Sequence, residues 1–283
     1  MNIKQALIKN ANIFKKAKII SAALDSEILL SFVLKKPKEF LYTYPEKKLN
    51  KVEEKKLNKL ISERKKFIPI AYILKNQDFF GLNFLVDKNV LIPRPETEIL
   101  VEETINAINY LKKKDINAAD IGTGSGAIAI SLAKNTKAKI FATDISAKAL
   151  RIARKNAKIN NVKINFFKGD LLKPLLNKRI DILAANLPYI DKKEAEKLFA
   201  KPESKGLKYE PKNALFAKKN GLEIYENLFK QIKSLKYKPK YILIEIGDTE
   251  AQALKKIIIK NLGKKNIYII KDLCGKNRVE KIY

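Results

Sequence analysis

The spacing of apolar positions changes along this chain, and each change marks a different kind of element. Through residue 75 the apolar residues recur at helical spacing. Leu24, Ile28 and Phe32 fall four apart around the run DSEILLSFVL and predict one face of an amphipathic helix. Asp25 or Ser26 is placed to cap that helix, its carboxylate or hydroxyl accepting an orphan amide N–H. Leu49, Val52, Leu57, Leu60 and Ile61 trace a second apolar stripe among repeated charges. Residues 1–75 are therefore expected to form a small helical domain. In residues 79–100, Gly81 and the triplet Asp87-Lys88-Asn89 are turn signals between short β-rich runs, which suggests a hairpin. Pro93 and Pro95 then stop the strand, and a helix is expected to begin between Glu96 and Glu98. From Asn117 the pattern alternates. INAADIG, AKIFATD, KINFFKGD, DILAAN and KYILIEIG read as strands, and AIAISLAK and SAKALRIARKNAKIN as helices. That alternation implies a parallel sheet with helices on both faces. NIYIIKDL and RVEKIY lie too close together, around Gly275, for a parallel crossover, so they should pair antiparallel. The expected organisation is a helical domain over 1–75, a β-hairpin linker over 76–100 and an α/β domain over 101–283.

Composition narrows the chemistry. The 283 residues include no histidine, which removes imidazole bases, histidine-activated nucleophiles and histidine metal sites. Cys274 is the single cysteine, so a thiolate metal cluster is excluded and no metal site is expected. The N-terminal residues lack an apolar signal core and no window reads as a membrane span, which points to the cytoplasm and no membrane association. The formal charge is +29. A nucleic-acid partner is one reading of that excess. The other is coding bias, since Lys, Asn and Ile are abundant and Trp is absent. The basic residues form no arginine-rich patch interleaved with aromatics. The compositional reading is therefore preferred, and direct nucleic-acid binding is not expected to be required.

The segment ADIGTGSGAIAI joins a predicted strand to a predicted helix. Gly122, Gly124 and Gly126 allow a tight turn and a close approach of backbone to ligand. Asp144 follows at the end of the next strand, where a carboxylate accepts from both hydroxyls of a ribose. Gly122, Gly124 and Ala127 also satisfy a dinucleotide pattern. Asp120 argues instead for S-adenosylmethionine, because a carboxylate there faces the cationic amino-acid end of that molecule and would repel a pyrophosphate. Asp170 and Leu171, ending the third strand, are placed to accept from the adenine amino group and to cover its ring.

The fourth strand ends in Asn186, Leu187, Pro188 and Tyr189. In open α/β sheets ligands sit beyond the carboxyl ends of the strands, so Asn186 should share a crevice with Gly122 and Asp144. Its side-chain carbonyl and the backbone carbonyl of Leu187 are two acceptors for a substrate N–H. Pro188 fixes the backbone without adding a donor. Tyr189 offers a flat face to a planar group. Two acceptors on an amide or exocyclic amine favour a pyramidal nitrogen with its lone pair aimed at a methyl group, and the interaction strengthens as the nitrogen becomes positive. A strand-end turn with no chemistry is the alternative for this motif taken alone.

The chain resembles the release-factor glutamine methyltransferases (PrmC/HemK). The resemblance runs through LIPRPETEILVE, DIGTGSGAIAIS, NLPYI, YEPKNALFAKKNGLEIY, EIGDTEAQAL and KDLCGKNRV, and so through most of its length. It implies a class I, Rossmann-like S-adenosylmethionine-dependent methyltransferase with an antiparallel C-terminal strand. It also implies N5-methylation of the glutamine in the Gly-Gly-Gln tripeptide of peptide-chain release factors, with the helical domain helping to grip that partner. Carried over, Gly122, Thr123, Gly124, Ser125, Gly126 and Asp144 bind the cofactor, and Leu171 sits by the adenine. Asn186, Leu187, Pro188 and Tyr189 hold the glutamine, and Glu96 to Glu98 lie near the cofactor mouth with a capping role equally open. The family usually has Asn-Pro-Pro-Tyr where this chain has Leu187 in second place. Asn-Leu-Pro-Tyr also occurs in ribosomal RNA adenine dimethyltransferases, which keeps an adenine-N6 methyltransferase acting on RNA or DNA as the alternative. A non-catalytic release-factor or ribosome binder is the third reading.

Overall fold

The computed structural model describes residues 1–191, 193, 195–217 and 221–283. They divide into two units, Met1–Lys75 with Glu196–Tyr209, and Asn76–Ala195 with Glu210–Tyr283.

The first unit carries α1 (Ile3–Lys16), α2 (Ala22–Leu34), α3 (Lys38–Thr43), α4 (Lys51–Lys65) and α5 (Ile70–Leu74). Asn2 and Asn50 start α1 and α4 with full capping boxes, each closed by the side chain three residues on, Gln5 and Glu53. The core gathers Ile3, Phe14, Leu29, Leu30, Leu41 and Leu57. Several details differ from the sequence reading. In α2 the buried face holds Ala22, Asp25, Ser26, Leu29, Leu30 and Val33, while Leu24 and Phe32 are exposed. The helix is apolar nearly all round, so spacing alone did not select the buried side. Nor do Asp25 and Ser26 cap it. Asp25 Oδ2 accepts from Arg64 Nε of α4 at 2.6 Å, and Ser26 Oγ donates to the Leu7 carbonyl at 3.2 Å. In the second stripe Leu49, Leu57, Leu60 and Ile61 are buried, but Val52, in the first turn of α4, is 76% exposed. The segment Glu196–Tyr209, which sequence order places far downstream, belongs to this unit. Its Tyr209 hydroxyl donates to the Lys66 carbonyl at 2.6 Å.

The second unit opens with the expected hairpin, β1 (Gln77–Phe79) and β2 (Leu82–Phe84). Phe80 and Gly81 both have positive φ, 50° and 69°, the two-residue turn whose twist matches the strands. No strand follows the Asp87-Lys88-Asn89 turn. The backbone there is held by a side chain, with Ile92 N donating to Glu210 Oε2 at 3.1 Å. Next come α6 (Thr97–Tyr110), β3 (Asn117–Ile121), α7 (Ala127–Asn135), β4 (Lys139–Asp144), α8 (Ala147–Ile159), β5 (Asn165–Lys168) and β6 (Ile182–Ala185). A short pair, β7 (Ile190–Asp191) and β8 (Phe216–Ala217), brackets α9 (Ala195–Ala200) and α10 (Lys212–Leu215). The chain ends with α11 (Glu223–Ser234), β9 (Tyr241–Glu245), α12 (Ala251–Leu262), β10 (Ile267–Lys271) and β11 (Asn277–Ile282).

Seven strands form one sheet in the order β10-β11-β9-β6-β3-β4-β5. The five from β9 to β5 run parallel, and β11 and β10 pair antiparallel at one edge, as expected. The sheet is wound outward from β3 in both directions, first to β4 and β5 and then to β6 and β9. A crevice therefore opens at the carboxyl ends of β3 and β6, where the chain switches direction. Ile121 pairs with Ala185, so the residues that follow, Gly122 and Asn186, emerge side by side.

Candidate active site

A cavity of about 140 Å³ lies in this crevice. Gly122, Gly124, Asp144, Asp170, Leu171, Asn186, Leu187 and Pro188 line it, together with Leu91, Ile145, Asn213 and Ile224. The sequence reading thus converges on one place from four strand ends. Asp120, Thr123, Ser125, Gly126 and Tyr189, also predicted, are not among its lining residues.

The glycine loop shows why three glycines are needed. All three have positive φ, 77° at Gly122, 55° at Gly124 and 85° at Gly126. A Cβ on Gly122 would meet Leu187 Cδ2 at 2.9 Å, and one on Gly126 would meet Ile130 and Ala153 of the flanking helices at 2.9 and 3.2 Å. A Cβ on Gly124 would meet nothing closer than 3.9 Å. Gly122 and Gly126 therefore serve packing, and Gly124 leaves the crevice clear. Asp120 holds the loop from beneath. It is fully buried, and its Oδ2 accepts from the Thr123 hydroxyl at 2.6 Å and from Ala129 N at 3.1 Å. Burial pushes its carboxyl up to about 7 against the pull of those two bonds. Its Oδ1 is buried and has no hydrogen-bond partner among the described residues.

Asp144 ends β4 at the cavity. Its two oxygens accept from Gly124 N at 2.9 Å and from Ser146 N at 2.7 Å, which fixes the carboxylate plane. Each oxygen keeps a lone pair for a ligand hydroxyl. Burial raises its pKa from the ordinary value. Asp170 is paired with Lys173 at 2.9 Å and is half exposed. Leu171 is held at φ 50°, a backbone region that leucine rarely enters, and its side chain is turned inward. Ile145, which sequence reasoning did not single out, stands on the opposite lip with 62% of its surface exposed. Two carboxylates, an open glycine and apolar lips suit the cationic nucleoside S-adenosylmethionine, so the donor set fits that cofactor.

The Asn-Leu-Pro-Tyr segment crosses the other side. Asn186 Nδ2 donates to Thr97 Oγ1 at 3.1 Å. Leu187 is 2% exposed and packs on Gly122, so this departure from the usual proline fills the space that the glycine leaves. Its carbonyl lies 3.3 Å from the hydroxyl of Tyr225, which also reaches the Glu245 carbonyl at 2.6 Å. A single hydroxyl proton goes to the nearer acceptor, which leaves the Leu187 carbonyl available. Tyr189 is half buried, and burial pushes its phenol well above the usual value. A Cβ on Gly221 would lie 2.1 Å from the Tyr189 carbonyl, so the glycine of the NGLEIY segment is required by that close approach.

Several residues that support the site were given no individual role by the sequence reading. Thr97, the fourth residue of Arg-Pro-Glu-Thr-Glu, touches Asn186. Its neighbour Glu98 accepts from Phe80 N in the hairpin turn at 2.7 Å, and Arg94 pairs with the buried Glu210. Of the three residues Glu96 to Glu98, the threonine reaches the site. Glu245 is buried beside Thr97 and Asn186, and Asn156 of α8 donates from its side chain to the Ser125 carbonyl at 2.8 Å. The motif segments containing Thr97 and Glu245 were visible, but nothing in their spacing assigned them roles.

Known proteins resemble this chain over nearly its whole length. Residues 97–245 match the methyltransferase small domain and residues 5–74 the PrmC N-terminal domain. A release factor glutamine methyltransferase from Clostridium acetobutylicum is 38% identical over 99% of this chain and 97% of its own. One from Clostridium botulinum is 37% identical over 99% of each. The chain belongs to the release factor glutamine methyltransferase family. Among solved structures, the hMettl16 catalytic domain in complex with the MAT2A 3'UTR hairpin 6 is similar with a TM-score of 0.60, 19% identity and coverage of 79% of this chain and 81% of that one. At that identity the likeness speaks for the fold alone. Family and fold agree that the second unit is a methyltransferase domain. No helix among the described residues is long and apolar enough to cross a membrane, and no cluster of metal-ligating side chains occurs among them.

Proposed function

We propose that this protein methylates the side-chain amide nitrogen of the glutamine in the Gly-Gly-Gln tripeptide of release factors, in the cytoplasm, with S-adenosylmethionine as donor. The observation that carries the reading is the placement of the Asn186 amide beside Gly122 and opposite Asp144 in one cavity. S-adenosylmethionine supplies a methyl group on a sulfonium, a good leaving group.

The residues of this chain do the rest. Asp144 would hold the ribose hydroxyls, Gly124 would keep its backbone clear of the ligand, and Leu171 and Ile145 would cover the adenine. Asp120 keeps the loop shaped from beneath, and its buried charge would favour a cationic group bound above the loop. Asn186 Oδ1 and the Leu187 carbonyl grip the two amide hydrogens of the glutamine, and Tyr189 lies along the amide plane. The nitrogen lone pair is then turned towards the methyl. Positive charge developing on the nitrogen during methyl transfer would be bound more tightly by both acceptors. The surplus proton leaves to water after transfer, so no histidine base is required.

The test uses labelled S-adenosylmethionine with unmodified release factor and, separately, ribosomal RNA. One methyl on the Gly-Gly-Gln glutamine is expected. Label on RNA adenine alone would replace this reading with the adenine-N6 one.

A further inference from the structure

An asparagine side chain has one accepting and one donating end, and only its oxygen serves a substrate N–H. Something must therefore set which way Asn186 faces. We propose that Glu245, acting through Thr97, is the positioning residue that turns the Asn186 carbonyl to the crevice. The inference rests on the reading of Asn186 as the amide acceptor given above.

The fold brings the three together. β6 and β9 pair Ala185 with Ile244, so Asn186 and Glu245, each one residue further on, are neighbours at the strand ends. Thr97 is the first residue of α6, which packs against both strands. Asn186 Nδ2 lies 3.1 Å from Thr97 Oγ1. The Thr97 hydroxyl and the Asn186 amide both favour the charged form of the Glu245 carboxyl.

A threonine hydroxyl alone accepts from one end of an amide or donates to the other, so it tolerates both orientations. An ionised carboxylate only accepts. With Glu245 charged, the Thr97 proton goes to the carboxylate, and the Thr97 oxygen is left to accept from Asn186 Nδ2. The amide oxygen then points away, towards the cavity. The reverse orientation would set the amide oxygen against a carboxylate with no proton between them.

Glu245 is 2% exposed and its Oε2 has no hydrogen-bond partner among the described residues. A carboxyl buried in this way is weak support for stability, whereas it serves the polarity of the chain of bonds. The groups that face it are Arg278 from β11, which favours its charge, Glu96 ahead of α6, which opposes it, and the phenols of Tyr189 and Tyr225. Burial pushes the carboxyl up to about 7, so it loses its charge in mildly acid solution.

The test compares wild type, Thr97→Ser, Thr97→Val and Glu245→Gln. The readouts are S-adenosylmethionine affinity, kcat and KM for unmodified release factor, and kcat from about pH 6 to about pH 9. Thr97→Ser should keep kcat within about threefold, whereas Thr97→Val and Glu245→Gln should lower it about 10- to 100-fold with cofactor affinity nearly unchanged. The acid limb of the wild-type kcat profile near pH 7 should vanish in Glu245→Gln. Unchanged kcat in the valine and glutamine variants, or a serine variant as impaired as the valine one, would overturn the proposal. A second readout is independent of the substrate. The Asn186 Nδ2 protons, assigned by NMR through their loss in Asn186→Ala, should exchange slowly in wild type and quickly in Thr97→Val and Glu245→Gln. If the wild type leaves release factor unmethylated, the reaction assigned above is wrong. The exchange measurement still decides this inference, and equal exchange in all variants would sink it.

Discussion

Gly124 and Gly126 are two residues apart and both have positive φ, yet they answer to different forces. Alanine at either position enters a strained backbone region, which costs about 1–2 kcal/mol. At Gly126 the new Cβ also presses on Ile130 and Ala153, so Gly126→Ala should lose about 1–3 kcal/mol more in a denaturation experiment. At Gly124 the Cβ meets nothing closer than 3.9 Å, so Gly124→Ala should lose only that backbone cost and instead bind S-adenosylmethionine poorly. Calorimetry and urea melts on the two variants separate these outcomes, and equal behaviour would contradict the division of roles. Asp144→Ala removes the acceptor proposed for both ribose hydroxyls, and affinity should fall about 10- to 100-fold, or about 1.5–3 kcal/mol. The glycines and Asp144 were legible because their spacing is imposed by local backbone geometry. Thr97 and Glu245 were not, because their partner Asn186 lies 89 residues from Thr97 and is met only through the sheet register.

At the scale of elements, α8 does more than cover the sheet. Its Asn156 is fully buried. It accepts from Leu85 N at 2.7 Å and donates to the carbonyls of Leu85 and Ser125 at 3.0 and 2.8 Å. One side chain thus ties the end of the hairpin to the glycine loop. Asn156→Leu strands three backbone groups in a dry interior and should cost about 2–4 kcal/mol in a urea titration. A loss under about 1 kcal/mol would mean that water replaces the amide. The strands β3, β4, β6 and β9 were readable because parallel strands buried on both faces are continuous apolar runs. The face of α2 was not, since Asp25 is buried by its pairing with Arg64 and no local rule anticipates a buried charge. Lone apolar residues such as Val52 are normal on a surface and carry no signal of their own.

For the whole molecule, the buried carboxyls set a pH dependence that net charge does not reveal. Asp120, Glu245 and Glu280 are each pushed up to about 7, in every case chiefly by burial. Unfolded, they titrate near their ordinary values, so between about pH 4 and about pH 7 the folded state binds more protons than the unfolded one. In that window stability falls as pH rises, and the burial penalty is fully present above about pH 7. Urea midpoints should therefore be higher at about pH 6 than at about pH 8. A rise with pH over that range would show that these groups titrate elsewhere. The +29 charge acts in the opposite sense, since acid adds to self-repulsion, and high salt should enlarge the measured difference. By itself the sequence determined the alternation of strand and helix, the antiparallel edge, the glycine loop with its acidic partner and the family, because these rest on local backbone geometry and short spacing. Only the tertiary structure decided that Glu196–Tyr209 joins the N-terminal unit, that Leu187 fills the space over Gly122, and that Thr97 and Glu245 stand beside Asn186. Those facts depend on residues far apart in the chain, brought together by sheet order and by the packing of α6 on β6 and β9, for which local patterns carry no record.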